Sequence, residues 1–326
     1  MYDVIALGEL LIDFTPSGIS NSGNPLFEQN AGGAPANVLA ALSKLGKQTT
    51  FIGKVGQDQF GEFLQEELVK SNIDTKGLIF ADDVPTTLAF VHLDSFGDRS
   101  FSFYRNPSAD MTLSKEDISI DLIKKSKIFH FGSLSMTHEA VAEATLYAVK
   151  NAKKENKLIS FDPNLRASLW GDLSHAKYMI EQGLRLADIV KVSEEELLFV
   201  IGISDLEKAS DILHRKYGIP LIFVTLGEKG CFYRHGSSTG HVPGFSVEVI
   251  DTTGAGDAFL GGILYQLLNV ESLSELSHQN VRDMTMFANA VGAIVTTKKG
   301  ALSSMPTLGE VNSLLEGQRK LGNSFG

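Results

Sequence analysis

The sequence has a single cysteine, no basic N-terminal segment and no long apolar run. One cysteine, Cys231, excludes an internal disulfide framework and any metal site made of several thiolates. The N-terminus, MYDVIALGELLIDF, lacks the basic region of a secretion signal, and no apolar stretch reaches the ~18 residues of a membrane span. These absences predict a cytoplasmic protein with no membrane partner.

Basic residues are also scarce, with 29 Lys and Arg against 39 Asp and Glu and a formal net charge of -10. Nucleic-acid-binding proteins usually present a basic face, so we expect no nucleic-acid partner. Neither GxxxxGK[ST] nor a GxGxxG after the first apolar run occurs, and the second absence argues against a dinucleotide-dependent oxidoreductase. A bound phosphate would have to be held by another local geometry.

Short β-rich apolar runs alternate with amphipathic segments along most of the chain. This pattern is typical of a mostly parallel sheet covered by helices. DVIALGELLID predicts a buried first strand, and APANVLAALSKLG predicts a helix with Pro35 near its start and Gly46 just past its end. We therefore expect a doubly wound α/β fold in a single domain that spans residues 1–326.

Two segments, residues 14–31 and 86–106, interrupt the alternation. The second predicts two strands around the turn DSFGD, and strands without an intervening helix pair antiparallel. The two segments together predict a small antiparallel sheet inserted in the domain as a lid. The alternative is an antiparallel edge of the main sheet.

The stretch DTTGAGDAFLGG, residues 251–262, predicts a tight turn followed by a helix. A helix start with free N–H groups behind Gly254-Ala255-Gly256 would form a cradle for an anion, and Asp257 would lie close enough to act as a general base. The alternative is structural: Asp251 or Thr253 caps the helix and Asp257 only interacts with its dipole.

A second glycine-rich turn, NAGGAPAN, precedes the predicted helix near Pro35. Gly32 and Gly33 would let a ligand approach the backbone, and the Asn37 amide offers a donor and an acceptor to hydroxyl groups. Asp13 is expected at the carboxyl end of the first strand, where ligands bind in open α/β sheets. Simple turn or capping roles remain the alternative for these residues.

Four motifs follow one another along the chain: GGAPANVLAALSKLG, FIGKVGQDQFG, FDPNLR and DTTGAGDAFLGG. With them the sequence resembles the ribokinase-like family of ATP-dependent carbohydrate kinases over nearly its whole length. GELLIDF, GGAPANV and FYRNPSADMTL are most similar to the fructokinases of that family. The resemblance implies a ribokinase-like fold and the transfer of the γ-phosphate of Mg-ATP to a primary hydroxyl of a small sugar.

The resemblance also implies roles for single residues. Asp257 would be the base, and the N–H groups of Gly254, Ala255 and Gly256 would hold the transferred phosphoryl group. The residues implied at the sugar, with the two arginines also near the phosphates, are Asp13, Gly32, Gly33, Asn37, Arg105 and Arg166. Those implied at ATP are Ser193, Thr225, Gly227, Gly256 and Asn289, with Ser193 standing where the family often has Asn.

Metal ions are implied in the same way. Glu196 would orient magnesium-bound water. A monovalent cation, K⁺ where the family has one, would use Asp251, Thr253, Val295, Lys298, Gly300 and Ser304.

The favoured substrate is D-fructose, giving fructose 6-phosphate. The alternatives are 2-keto-3-deoxygluconate, since Tyr104-Arg105 at the lid fits both sugars, another sugar of the same family, or a non-catalytic sugar-sensing protein. A homodimer is expected because the lid hairpin is rich in apolar residues.

Overall fold

The computed structural model describes residues 1–93 and 99–323. In chain order the strands are β1 (Val4–Leu7), β2 (Leu11–Ile19), β3 (Pro25–Gly32), β4 (Thr49–Gly56), β5 (Ile73–Ala81), β6 (Leu88–Leu93), β7 (Arg99–Tyr104), β8 (Ile128–Gly132), β9 (Leu158–Asp162), β10 (Ile189–Ser193), β11 (Leu221–Thr225), β12 (Cys231–His235) and β13 (Ser238–Val242). The α-helices are α1 (Ala34–Lys44), α2 (Gln59–Lys70), α3 (Ile120–Lys124), α4 (Glu139–Lys154), α5 (Leu173–Leu184), α6 (Glu194–Ile201), α7 (Leu206–Tyr217), α8 (Ala255–Leu267), α9 (His278–Val295) and α10 (Leu308–Asn323). None of the helices in these two ranges is both long and apolar enough to cross a membrane.

Nine strands form a large sheet in the order β13-β12-β11-β10-β9-β8-β1-β4-β5. All neighbours from β5 to β11 pair parallel, and β12 and β13 pair antiparallel. The chain runs outward from β1 on one side through β4 and β5, and on the other through β8 to β11. The order therefore reverses beside β1, and in such sheets ligands bind outside the carboxyl ends of the strands at this point.

Helices cover both faces of the large sheet. Val4 and Ala6 of β1 belong to one apolar cluster, and Ile5 and Leu7 belong to another, because successive residues of a strand face opposite sides. The first cluster contains buried residues of α1, α2, α8, α9 and α10, and the second contains those of α3 to α7. The predicted doubly wound α/β fold is confirmed.

Helix α8 is packed closely between α1 and α9. A Cβ atom added to Gly261 would lie 2.6 Å from the Cβ of Ala41, and one added to Gly262 would lie 2.9 Å from the Cα of Ala288. Both distances are shorter than carbon atoms tolerate, so only glycine permits this approach at the two positions.

The prediction that DVIALGELLID forms one strand is wrong, because this segment forms two strands in two different sheets. β1 ends at Leu7, and β2 begins at Leu11 in the smaller sheet. Between them the Glu9 side chain is buried, and its Oε1 accepts a hydrogen bond of 2.9 Å from the N–H of Ala34. Asp13 therefore lies inside β2 and not at the carboxyl end of the first strand.

The smaller sheet has the order β3-β2-β6-β7 and is separate from the large sheet, so it is not an edge of it. The hairpins β2–β3 and β6–β7 are antiparallel, as predicted, and β2 and β6 join them by parallel pairing. The predicted turn DSFGD, residues 94–98, lies outside the described residues. That residues 14–31 and 86–106 act as a lid on one domain of residues 1–326 stays a prediction.

Candidate active site

The turn before α8 brings the predicted base to the carboxyl edge of the large sheet. Gly254 has φ +76°, a left-handed conformation that suits glycine, and α8 begins at the next residue, so Asp257 stands in its first turn. Gly254, Gly256 and Asp257 line a cavity of about 630 Å³. The cavity also contacts residues at the ends of β10 and β11, including Ser193 and Thr225.

The start of α8 has no side-chain cap. Gly254 is the N-cap residue, and the carboxylate of Asp251 accepts hydrogen bonds from Thr253 and from the N–H of Gly300 instead. The structural alternative, in which Asp251 or Thr253 caps this helix, is therefore excluded. Ala255 donates its N–H to the carbonyl of Thr252 at 3.2 Å. Among the residues that the structure describes, the N–H groups of Gly254 and Gly256 have no backbone acceptor.

Asp257 is buried and has an unusual protonation equilibrium. Burial raises the pKa of its carboxyl group from 3.8 to about 6, although the Lys191 ammonium and a hydrogen bond from Asn37 both lower it. Asn37 Nδ2 donates to Asp257 Oδ2 at 2.8 Å across 220 residues of sequence. A carboxylate with such a pKa is ionised at neutral pH and can take a proton, which is the property a general base needs.

A buried ion pair lies beside the turn. Lys191 Nζ donates to Asp162 Oδ2 at 2.8 Å, and both side chains are almost fully buried, at 8% and 3% exposure. Asp162 is the last residue of β9, and Lys191 is the central residue of β10. The ammonium lies so near α8 that a Cβ atom on Gly256 would be 3.0 Å from it.

Arg166 lies near both Asp13 and Asp257. Burial raises the pKa of Asp13 to about 6, and the Arg166 guanidinium lowers it. The same guanidinium lowers the pKa of Asp257, and Arg166 lines the cavity from the exposed side. The structure thus brings Asp13, Asn37, Arg166 and Asp257 to one place.

The predicted glycine turn lies beside Asp13 and the segment after β1. A Cβ atom on Gly32 would overlap the Asp13 carboxylate. Gly33, with φ +128°, lies against the backbone carbonyl of Glu9, where a side chain would not fit. The double glycine is thus required by the packing of this turn, whether or not a ligand is bound.

Arg105 has a different environment from Arg166. It is buried, and its Nε donates to Asp110 Oδ2 at 2.8 Å while its terminal nitrogens donate to Thr137 Oγ1 and the Leu134 carbonyl. Three of about five N–H donors are used in this way. Its guanidinium therefore connects the chain just after β7 to Asp110 and to the segment that contains Leu134 and Thr137, and two N–H groups remain for a ligand.

A second cavity, of about 830 Å³, adjoins the first one. Thr225, Thr252 and Gly256 line both. Gly227 and Asn289 line the second alone, and Asn289 Nδ2 donates to the carbonyls of Val242 and Pro243 at 3.0 and 3.1 Å. The start of α8 therefore lies where two cavities meet, which allows two bound molecules to react across it.

Glu196 and Ser193 form a reciprocal cap at the start of α6. The Ser193 hydroxyl accepts from the N–H of Glu196, and Glu196 Oε2 accepts from the N–H of Ser193 at 2.8 Å. Glu196 Oε1 accepts from the N–H of Leu165 at 2.7 Å. Burial, with the nearby Asp162, raises the pKa of this carboxyl group. Each carboxylate oxygen keeps a lone pair for a water molecule.

The residues predicted for a monovalent cation lie on two chain segments that touch. Gly300 donates its N–H to Asp251, and Ser304 Oγ donates to the Gly300 carbonyl at 2.7 Å. The N–H of Lys298 donates to the Val295 carbonyl at 3.2 Å, and its ammonium pairs with Glu310 on α10. No group of three or more His, Cys, Asp or Glu side chains that could hold a metal occurs in residues 1–93 and 99–323.

The pfkB family of carbohydrate kinases matches residues 1–308. The chain belongs to this family. Fructokinase-1 of Zea mays is 44% identical over 317 residues, which are 96% of this chain and 97% of that protein.

Two similar solved structures are also named fructokinases. One is a fructokinase with bound ATP from Xylella fastidiosa, at TM-score 0.89 and 35% identity, covering 98% of this chain and 100% of that one. The other is a double mutant of the fructokinase from Vibrio cholerae with fructose, ADP and a potassium ion. It has TM-score 0.87 and 34% identity, covering 96% of this chain and 98% of that one.

Two features of this pfkB family member were missed from its sequence. Lys191 interrupts the apolar run ADIVKVS, and a lysine inside a buried strand is an unusual choice that could have drawn attention. Glu9 in GELLIDF is the other: burial raises its pKa to about 7 while it holds the start of α1. Both are charged residues at positions where the pattern predicts apolar ones.

Proposed function

We propose that this chain is an ATP-dependent fructokinase that phosphorylates a primary hydroxyl of D-fructose to give fructose 6-phosphate. The observation that carries the proposal is the position of Asp257. This residue is buried beside the N–H groups of Gly254 and Gly256, which have no backbone acceptor, and the two cavities meet there. Relatives named fructokinases, one with ATP and one with fructose and ADP, support the choice of both substrates.

In the proposed reaction Asp257 takes the proton of the sugar hydroxyl. The sugar oxygen forms a bond to the γ-phosphorus, and the bond from that phosphorus to the bridging oxygen breaks, leaving its electron pair on ADP. Asn37 holds one oxygen of Asp257 by the 2.8 Å hydrogen bond, so the other oxygen is available for the proton. A base positioned in this way typically contributes a rate factor of about 10²–10⁴.

The free N–H groups of Gly254 and Gly256 would donate to the oxygens of the transferred phosphoryl group. Ala255 completes the turn, and its own N–H is used by Thr252. The α8 dipole points its positive end at the same place, and Arg166 adds a full charge. Preorganised donors of this kind are a large part of the catalysis of phosphoryl transfer.

Sugar binding is assigned to the residues next to the base. Asp13 and Asn37 would bind hydroxyl groups, with the turn at Gly32 and Gly33 allowing the sugar to approach the backbone. Arg105 would reach the sugar only with the two N–H groups that Asp110, Thr137 and Leu134 leave free. Its larger contribution is to hold the small sheet in place.

The second cavity is assigned to the nucleotide. Thr225 and Gly227 would contact the phosphates and ribose, and Asn289 would lie by the adenine with its carbonyl oxygen, because its amide hydrogens are used. Ser193 lines the first cavity, but its hydroxyl caps α6, so a contact of this residue with ATP is a minor part of the proposal.

Magnesium fits the donor set at Glu196. Mg²⁺ usually keeps several waters and binds through one or two carboxylates plus the substrate phosphates, so a single carboxylate with free lone pairs suffices. When bound, the ion neutralises charge on the phosphate oxygens. A potassium ion is proposed at the touching segments 251–253 and 295–304, where backbone carbonyls would supply most ligands; the Vibrio cholerae relative has a potassium ion bound.

An ATP-consumption assay with fructose, glucose, mannose, ribose, tagatose and 2-keto-3-deoxygluconate tests the substrate. We expect the highest kcat/KM for fructose, with no activity in an Asp257→Asn variant purified in parallel as the control for contaminating kinases. A higher kcat/KM for 2-keto-3-deoxygluconate would contradict the fructose assignment. That acid needs a free cation for its carboxylate, and Arg105 already has a buried partner in Asp110.

Assembly, lid and location complete the proposal. Ile19, Leu26, Phe27 and Tyr104 of the small sheet are between 40% and 73% exposed, more apolar surface than a solvated sheet usually presents. Phe27 and Tyr104 share one face of this sheet, where both rings contact Phe90. We assign that face to a homodimer contact and the small sheet to a lid over the sugar, within a single domain of residues 1–326. The cytoplasm is the proposed location.

A further inference from the structure

Lys191 is a buried cation whose position packing alone does not explain. It occupies the middle of β10, an interior strand between β9 and β11, and the residue is 6% exposed. Removing an ammonium group from water is unfavourable even when it is paired, and an apolar pair of similar size is often as stable. A lysine at this position therefore calls for a role that an apolar side chain could not fill.

The ammonium is only partly satisfied by the protein. Asp162 accepts one hydrogen bond at 2.8 Å, and no other acceptor for Lys191 Nζ occurs among the described residues. An ammonium has about three N–H donors, so two remain. Asp162 Oδ1 also accepts a hydrogen bond from the N–H of Asn164. This bond orients the Asp162 carboxylate, and the carboxylate in turn orients the Lys191 ammonium.

The remaining donors are next to the proposed phosphate cradle. Lys191 lines the same cavity as Gly254, Gly256 and Asp257. A Cβ atom on Gly256 would lie 3.0 Å from Nζ, so the absence of a side chain there keeps the space between the ammonium and the turn open. The positive charge thus lines the cavity from a strand of the large sheet, and the exposed Arg166 lines the same cavity.

We infer that Lys191 is a further phosphate-binding residue, which donates from its Asp162-anchored ammonium to an oxygen of the phosphoryl group that is transferred. This inference rests on the proposed kinase function and adds a residue to it. Charge on the three outer phosphoryl oxygens must be neutralised in the transition state, and a fixed cation in a largely buried site does so strongly. Its negative neighbours raise the pKa of Lys191, so the residue stays charged and transfers no proton itself.

The test removes the charge without leaving an unpaired partner. Replacing Lys191 alone would leave Asp162 buried and unpaired, so the main variant is Lys191→Met with Asp162→Asn. We expect a folded protein whose kcat falls about a hundredfold or more, the usual effect of losing one such donor. Calorimetric binding should show at least about tenfold weaker affinity for adenylyl imidodiphosphate, with ADP affinity changed less than about threefold. Equal losses for both nucleotides, or kcat within about threefold of the wild type, would overturn the inference.

A matched pair elsewhere serves as the control. Lys54 and Asp117 form a partly buried ion pair, with Nζ and Oδ2 3.0 Å apart, and neither residue lines the two cavities. The variant Lys54→Met with Asp117→Asn should keep wild-type kcat and nucleotide affinity. An equal loss of kcat in this control would assign the effect to general destabilisation and would also overturn the inference.

The pH dependence separates direct binding from an effect through the base, because the Lys191 charge also lowers the pKa of Asp257. Asp162 raises the pKa of Asp257, so the double variant removes two opposing charges, and this comparison uses Lys191→Met alone. If Lys191 acted only through Asp257, Lys191→Met would move the acidic limb of the kcat profile to higher pH, and alkaline buffer would restore the rate. We expect no such rescue up to pH 9, and full rescue would contradict phosphate binding. A wild-type protein that phosphorylates no sugar would contradict the proposed function, whereas the two nucleotide affinities would still decide the role of Lys191.

Discussion

Replacing Asp257 by asparagine should abolish turnover and, at the same time, make the folded protein more stable. The first effect follows from chemistry: asparagine keeps the shape and can still accept from Asn37, but it cannot take a proton in the transition state. A loss of at least about a hundredfold in kcat is expected, with sugar binding nearly intact.

The stability effect follows from the raised pKa of the buried carboxyl group. At about 1.4 kcal/mol per pH unit, a change from 3.8 to about 6 means that the ionised group destabilises the folded state by about 3 kcal/mol. The folded protein holds this proton more tightly than the unfolded chain does. The contribution of Asp257 to stability is therefore most favourable below pH 4, is lost as the pH rises from about 4 to about 6, and stays absent above that.

Two measurements check this reasoning. Steady-state kinetics of the wild type should show kcat falling below about pH 6, where Asp257 becomes protonated. Denaturant unfolding should show the asparagine variant to be more stable than the wild type at pH 8, with the difference much smaller at pH 4. Turnover within a few-fold of the wild type would remove Asp257 from the role of base, and a variant less stable at pH 8 would refute the electrostatic account.

Three further predictions concern the neighbouring groups. Asp13→Ala should lower kcat/KM for fructose about tenfold or more, because one charged hydrogen bond is lost, while the KM for ATP stays nearly unchanged; the opposite pattern would mean that β2 faces the nucleotide. Asn37→Ala removes the hydrogen bond that lowers the pKa of Asp257, so the acidic limb of the kcat profile should move to higher pH, and an unmoved limb would count against this contact. Sedimentation at micromolar concentration should show a dimer that Phe27→Lys on the small sheet dissociates, and a monomeric wild type would contradict the assembly but not the kinase.

The sequence was most informative where local chemistry alone determines the structure. Helix α1 begins and ends where Pro35 and Gly46 predict, and α8 places Asp257 in its first turn because Gly254 can adopt the conformation that starts it. The alternation of strands and helices gave the sheet type correctly. These features depend on residues that are neighbours along the chain.

Features that depend on distant contacts could not be predicted in the same way. DVIALGELLID has the composition of one strand, and it divides because Glu9 turns inward to bind the N–H of Ala34, 25 residues away. The pair of Lys191 and Asp162 comes from two strands, and neither residue predicts the other. Arg105 was expected to face a ligand, yet its first partner is Asp110, because the chain turns back after β7.

The close packing of α8 against α1 and α9 has a consequence for the mutational tolerance of the enzyme. Asp257 and Asn37 sit on two helices held at a fixed separation by Gly261 and Ala41, and α9 contacts α8 through Gly262. A single added methyl group at Gly261 would push the helices apart and lengthen the hydrogen bond between Asp257 and Asn37, although Gly261 lies a full helical turn from Asp257. In a library of random variants, substitutions at these small interior residues should therefore abolish activity as often as substitutions at the residues that line the cavity. Directed evolution aimed at a new sugar should therefore keep Ala41, Gly261 and Gly262 and vary the residues at the rim of the cavity.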